Sequence, residues 1–180
     1  EAVRDDVVDL VEGSRTYLGQ MDLNIASPLV WEFYADTLDR LAGYGARIVR
    51  LDAFAYAPKE PGAKNFLNDP GTWELLGKVK DLADARGLQL LPEIHSTYAE
   101  GIHETIAGLG FMTYDFFLPG LLVDAFDRRD ASTLKRWIGE LVEKKIRTVN
   151  MLGCHDGIPL LDLKGLLDEE RIATLIDTIV

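Results

Sequence analysis

Three short apolar runs, each ending in charged side chains, constrain this chain more than any other feature. The first, VRLDAFAYAPKE at residues 49–60, reads as a short buried strand that runs straight into polar chemistry. Alternate residues of a strand share a face, so Ile48, Arg50 and Asp52 lie on one side and Val49, Leu51 and Ala53 on the other. A parallel strand covered on both faces should be apolar throughout, and burying an unpaired charge is costly. Arg50 and Asp52 therefore form either a structural ion pair at a strand end or part of a site, and this stretch alone leaves both readings open. The pattern then returns twice. LQLLPEIH at residues 88–95 puts Gln89, Leu91, Glu93 and His95 on one face, and RTVNMLGCHDG at residues 147–157 finishes in His155 and Asp156. Strands that each follow a helical pattern and end in Asp, Glu or His-Asp are what a (β/α) barrel presents at the C-terminal ends of its strands.

The remaining segments fit that alternation. Residues 1–12 permit a helix or a strand, and Gly13-Ser14 ends them. Asp22 and Asn24 read as loop residues, after which Ser27 and Pro28 supply an N-cap and a first-turn proline. The helix they open carries Val30, Phe33, Tyr34, Leu38 and Leu41 at helical spacing and stops near Gly43 or Gly45. A strand over 48–55 leads into a Pro- and Gly-rich loop over 58–71, and a connection that long at the C-terminal end of a strand is commonly functional. The pattern then predicts a helix over 71–85 with Trp73, Leu76, Val79 and Leu82 inward, a strand over 88–95, a short helix over 99–108 and a strand over 111–119. Helical pattern resumes over 120–126 and over 132–144, where Leu134, Trp137, Ile138 and Leu141 line one face. A strand over 147–154, a loop LDLKGLL and a terminal helix over 168–180 complete the chain. Four strands alternating with helices predict parallel neighbours joined by right-handed crossovers, and with no repeat, linker or low-complexity segment one domain is expected.

Composition narrows the partners. The 180 residues are 47% hydrophobic, enough for a sizeable core. Nineteen basic residues face 30 acidic ones, a net charge of −11, which argues against nucleic acid or an anionic membrane surface and favours a small, locally recognised substrate. Cys154 is the only cysteine, so no intrachain disulfide can form. With no signal peptide and no apolar run long enough to span a bilayer, a cytoplasmic location is expected. The chain lacks an initiator Met and opens mid-pattern at Glu1, which suggests a piece of a longer protein.

VRLDAFAYAPKE, LLPEIH, MLGCHDGI and the earlier GQMDLN together resemble motifs of the α-amylase family of glycoside hydrolases (family 13), specifically its sucrose phosphorylase branch. The resemblance runs from about Gly19 to Leu167. DAFAYAPKE and HDGIPLLDLKGLL lean toward the phosphorylases, because the amylases proper usually carry a His where this chain has residues 56–59. The resemblance implies Asp52 as nucleophile, Glu93 as general acid/base and Asp156 as the carboxylate that grips the sugar in the transition state. It further implies Arg50 positioning Asp52, His155 and Tyr56 lining the glucosyl site, and Gln20, Asp22 and Asn24 as scaffold. It implies a (β/α)8 barrel of TIM type, of which this chain supplies strands four to seven, about four βα units, with residues 1–24 leading in from a preceding loop or small domain. The family motif on the third strand is absent, as are strands one to three and eight. The partners implied are a small sugar and inorganic phosphate, with no cofactor and no metal.

The chemistry of glycosidic cleavage agrees with these roles. One carboxylic acid must protonate the leaving oxygen while a second carboxylate faces the anomeric carbon, and in retaining enzymes the two stand only ~5–5.5 Å apart. Adjacent strands lie about 4.8 Å apart, which brings Asp52 and Glu93 on consecutive strand ends near that distance. A phosphorylase intercepts the glucosyl-enzyme with phosphate and a hydrolase with water, a choice these residues do not make. A transglucosidase of the same mechanism, or a binding module that keeps the motifs without turnover, also fits. His95 either shapes the acceptor side or hydrogen-bonds its rim neighbours. His103 on a short amphipathic helix is expected at the surface, and Cys154 as a small packing residue at a strand end. The Asp, Glu and His set lacks the short spacing of metal-ligand pairs. Of Phe54, Phe116 and Phe117, two should be core and one could stack on a sugar, while Asp115 is a rim residue without a role.

Overall fold

The structure, a computed structural model, describes residues 22–179. The readings made for residues 1–21, including the ambiguous first segment and Gln20, lie outside the described residues. Helix α1, Pro28–Gly43, begins where Ser27 is extended and Pro28 occupies the first turn, although the Ser27 side chain makes no capping bond. The turn before it is closed instead by Asn24, whose carbonyl accepts from the Ser27 N–H at 2.9 Å and whose Oδ1 accepts from the Ala26 N–H at 3.1 Å. At the other end Gly45, with φ of +88°, turns the chain so that Ala46 N–H returns to the Leu41 carbonyl at 3.0 Å.

The strands are shorter than their apolar runs. They are β1 Ile48–Leu51, β2 Gln89–Pro92, β3 Thr113–Asp115 and β4 Thr148–Asn150. Between them lie α2 Gly71–Asp84, α3 Ile102–Gly108, α4 Leu118–Arg128 and α5 Ser132–Glu143, and α6 Glu169–Ile179 follows β4. β1 pairs with β2 and β3 with β4, each in parallel, with Leu51 opposite Pro92 and Asp115 opposite Asn150. β2 and β3 approach within 8 Å without joining the two ladders. The strand expected over 111–119 stops early because Pro119 cannot donate to a ladder and instead sits in the first turn of α4.

The expectation of a buried β1 is corrected: Ile48 and Arg50 are exposed, and only Val49 and Leu51 are half-buried. Among the described residues β1 pairs on one edge alone, with β2. β2 is the covered strand, with Leu90, Leu91 and Pro92 buried.

Two apolar clusters hold the elements. The first joins Leu38 of α1 to Leu75, Leu76, Val79 and Ala83 of α2, with Leu90, Ile94, Ile106 and Phe111. The second joins Leu121 of α4, Trp137 of α5, and Ile172 and Leu175 of α6. Its centre is the segment read as a plain loop: Leu160, Leu163, Leu166 and Leu167 are all buried, carried by a 3-10 turn over Leu160–Leu163. Gly165 permits this with φ of +99°, and a Cβ there would stand 3.0 Å from Ala99 Cβ.

Three single-residue expectations are also corrected. His103 is buried rather than at the surface, its ring packed against Tyr98, Phe117 and Trp137 with centroids 5.3–5.4 Å away. Cys154 is exposed rather than packed, because β4 ends at Asn150 and leaves it out on the following turn. Asp115 is not a rim residue but a buried one, accepting from Trp137 Nε1 at 3.1 Å and from the Leu118 N–H at 2.9 Å, which seats the start of α4. Burial pushes its carboxyl up, against these donors.

Candidate active site

The site grows from the ends of β1 and β2. Their ladder continues one step past the strands, with the Glu93 N–H donating to the Leu51 carbonyl at 3.0 Å, so Asp52 and Glu93 leave neighbouring strands side by side. Arg50 reaches both carboxylates: Nη1 bonds Asp52 Oδ1, and Nη2 lies 2.6 Å from Glu93 Oε1. Asp52 is largely exposed while Glu93 is mostly covered, so the guanidinium matters most to Glu93. Burial opposes the charge on Arg50, but Glu93 and Asp52 outweigh it and push the guanidinium up.

Directly after Asp52 the chain makes a turn that costs strain. Ala53 has φ of +46°, a left-handed conformation that residues with a Cβ rarely adopt, at about 1–3 kcal/mol. That geometry aims its N–H at Glu93 Oε2, 2.9 Å away. A 3-10 turn, Phe54–Tyr56, follows, burying Phe54 and Ala55 and leaving Tyr56 half-exposed against Phe66 at 4.9 Å between centroids. Lys59 pairs with Asp22 at 2.8 Å and ties the following loop to the segment ahead of α1.

His95 lies two residues beyond Glu93. Its Nδ1 stands 3.2 Å from Asp162 Oδ2 and its Nε2 3.8 Å from Glu93 Oε1, while Phe116 stacks on the ring at 3.9 Å. The hydrogen bond to Asp162 raises its pKa against burial, and the charges of Asp162, Glu93 and Asp156 add to the effect. His155 and Asp156 sit on an exposed turn closed by reciprocal N–H···O bonds between Cys154 and Gly157, with His155 Nε2 3.3 Å from Asp156 Oδ2.

Arg50, Asp52, Tyr56, Glu93, His95, His155 and Asp156 line one open cavity of about 680 Å³, together with Ala53, Ala55 and Phe66. The structure thus brings to one place all seven residues read from the sequence as catalytic or lining the site. Phe54, Phe116 and Phe117 are all buried, so none of the three presents a ring to that cavity. The aromatic there besides Tyr56 is Phe66, from the Pro- and Gly-rich loop flagged only as a whole. Asp162 was missed, since LDLKGLL shows no period that would mark one of its residues as facing a site.

Among the described residues two sets could hold a cation on geometry alone. The ligand atoms of Cys154, His155 and Asp156 lie within 4.8 Å of one another, all exposed. Those of His103, Glu104 and Glu140 do as well, but Lys144 Nζ already bonds both carboxylates at 2.8 Å.

Fold and site together define an α/β protein with parallel strand pairs whose ends carry a polar site. No family model matches the chain. It is 55% identical over 158 residues to the sucrose 6(F)-phosphate phosphorylase of Ilumatobacter coccineus, covering 88% of this chain and 30% of that protein. It is 36% identical over 153 residues to the sucrose phosphorylase of Streptococcus mutans, covering 85% of this chain and 31% of that protein. The crystal structure of sucrose 6F-phosphate phosphorylase from Thermoanaerobacter thermosaccharolyticum matches with a TM-score of 0.78 and 32% identity, over 89% of this chain and 33% of that one. More distant relatives are named glucosylglycerol phosphorylase and glucosylglycerate phosphorylase. The chain belongs to the sucrose phosphorylase branch of the α-amylase family, and spans about a third of the length of the relatives it matches.

Proposed function

We propose that this chain is the catalytic portion of a retaining α-glucoside phosphorylase, acting on sucrose or a similar small α-glucoside, phosphorylated on its fructosyl unit or not. The observation that carries the reading is the single cavity around which Asp52, Glu93 and Asp156 converge, with Arg50 bridging the first two. In this reading the parallel pairs are strands four to seven of a (β/α)8 barrel, and the cavity is its C-terminal mouth. Glu93 protonates the glycosidic oxygen as Asp52 attacks the anomeric carbon, releasing the fructosyl unit and leaving a glucosyl ester on Asp52. A phosphate oxygen then displaces Asp52, with Glu93 accepting its proton. The two inversions sum to retention, giving α-glucose 1-phosphate. Asp156 and His155 grip the glucosyl unit, Tyr56 and Phe66 wall the cavity beside it, and the protein works in the cytoplasm.

The test is an assay of the full-length protein on sucrose and on sucrose 6F-phosphate, with and without phosphate. Phosphate-dependent formation of glucose 1-phosphate from either donor is expected. Release of free glucose at the same rate without phosphate would make it a hydrolase instead.

Among the described residues, no helix is long and apolar enough to cross a bilayer.

A further inference from the structure

We propose that Asp162 is a positioning residue of this site, holding the His95 ring against Glu93 and thereby setting the charge that faces Glu93 during proton exchange. The inference rests on the reading of Glu93 as acid/base. Asp162 projects from the 3-10 turn whose Leu160 and Leu163 are buried in the second cluster, so its backbone is anchored in the core. Its side chain is only 14% exposed, and its Oδ2 lies 3.2 Å from His95 Nδ1. The ring is fixed on three sides: by Asp162 at Nδ1, by Phe116 stacked on one face, and by Glu93 Oε1 at 3.8 Å from Nε2.

The consequence follows from charge. The groups facing His95 are the carboxylates of Asp162, Glu93 and Asp156, with Arg50 beyond Glu93. An ionised Asp162 takes a hydrogen bond from Nδ1–H and favours the imidazolium, which then sets a second cation, after Arg50, beside Glu93 Oε1. A cationic ring places that second positive charge at 3.8 Å from Glu93 Oε1 and a neutral ring removes it, so the two states of His95 favour opposite halves of the proton exchange assigned to Glu93.

The experiment compares wild-type full-length enzyme with Asp162→Asn and Asp162→Glu. His95 is titrated by NMR of its ring nuclei, assigned with His95→Asn, and kcat/KM on sucrose is followed against pH. Asp162→Asn should lower the His95 midpoint by about one pH unit or more. It should also move the basic limb of kcat/KM upward by roughly half a pH unit. Asp162→Glu should restore both in part, since it returns the charge. An unmoved midpoint in a folded Asp162→Asn protein overturns the proposal, and so does a lowered midpoint with an unmoved basic limb. Full turnover of sucrose by Glu93→Gln would sink the acid/base reading itself, a failure separable from an unmoved midpoint.

Discussion

Arg50 holds two carboxylates with one planar fork, and its replacement shows how much of the site depends on a single side chain. Arg50→Lys keeps the charge but cannot bond Asp52 and Glu93 together, so kcat/KM should fall about a hundredfold, as a displaced reacting group does. Steady-state kinetics on sucrose checks this, and a loss below tenfold would mean the bridge is structural. His103 makes the opposite case, a polar residue that the fold tolerates at a cost. Among the described residues neither ring nitrogen finds a hydrogen-bond partner, and burial lowers its pKa despite the nearby Glu104 and Glu140. The folded protein therefore holds His103 neutral, while the unfolded chain takes up a proton near the ordinary value of ~6.5. Stability from this group is complete above that pH and declines as pH falls through it. His103→Phe keeps the aromatic packing and removes both orphaned nitrogens. Its thermal midpoint should match or exceed wild type at pH 7.5 and fall less by pH 5.5. The charged strand ends were legible because period-two alternation assigns each residue a face. His103 was not, because the cage around it comes from Tyr98, Phe117 and Trp137, far apart in sequence.

At the scale of elements, two helix glycines should respond in opposite directions. A Cβ on Gly120 in α4 would stand 2.5 Å from Leu163 Cδ1 and 3.1 Å from Leu160 Cδ2, and Leu163 is fully buried and cannot swing away. Overpacking costs about 1–3 kcal/mol against a helix gain of about 0.5–1 kcal/mol, so Gly120→Ala should destabilise. Gly77 in α2 is exposed with open space around it, and Gly77→Ala should stabilise by about 0.5–1 kcal/mol. Thermal melts of the two variants decide this, and a stabilised Gly120→Ala would mean that α4 does not pack on the leucine turn as described. Helix positions were readable from the sequence because 3.6-residue spacing and the Ser27-Pro28 start are local signals. The leucines of residues 160–167 were not, since a 3-10 turn broken by Gly165 follows neither period. Strand ends were overrun for a related reason: apolar runs continue into 3-10 turns and helix starts, where Phe54 and Phe117 are buried without belonging to a strand.

At the scale of the whole molecule, β1 and β4 each have one edge that pairs with no strand among the described residues, beside an apolar groove. Phe33, Leu41 and Val49 line the first groove, and Ile138, Val142 and Ile146 the second. Unpaired edges next to uncovered apolar surface invite association. Residues 1–180 made alone should therefore elute from a sizing column as oligomers or aggregates and show no turnover, and a soluble, active monomer would refute this. If a glucosyl unit passes through Asp52, its ester on that carboxylate can be trapped. Full-length Glu93→Gln protein would be incubated with α-glucosyl fluoride, whose leaving group needs no acid, then digested and mapped by mass spectrometry. One glucosyl increment is expected on the peptide that carries Asp52, absent in Asp52→Asn. A label on another residue, or turnover with inverted configuration and no label, would contradict it.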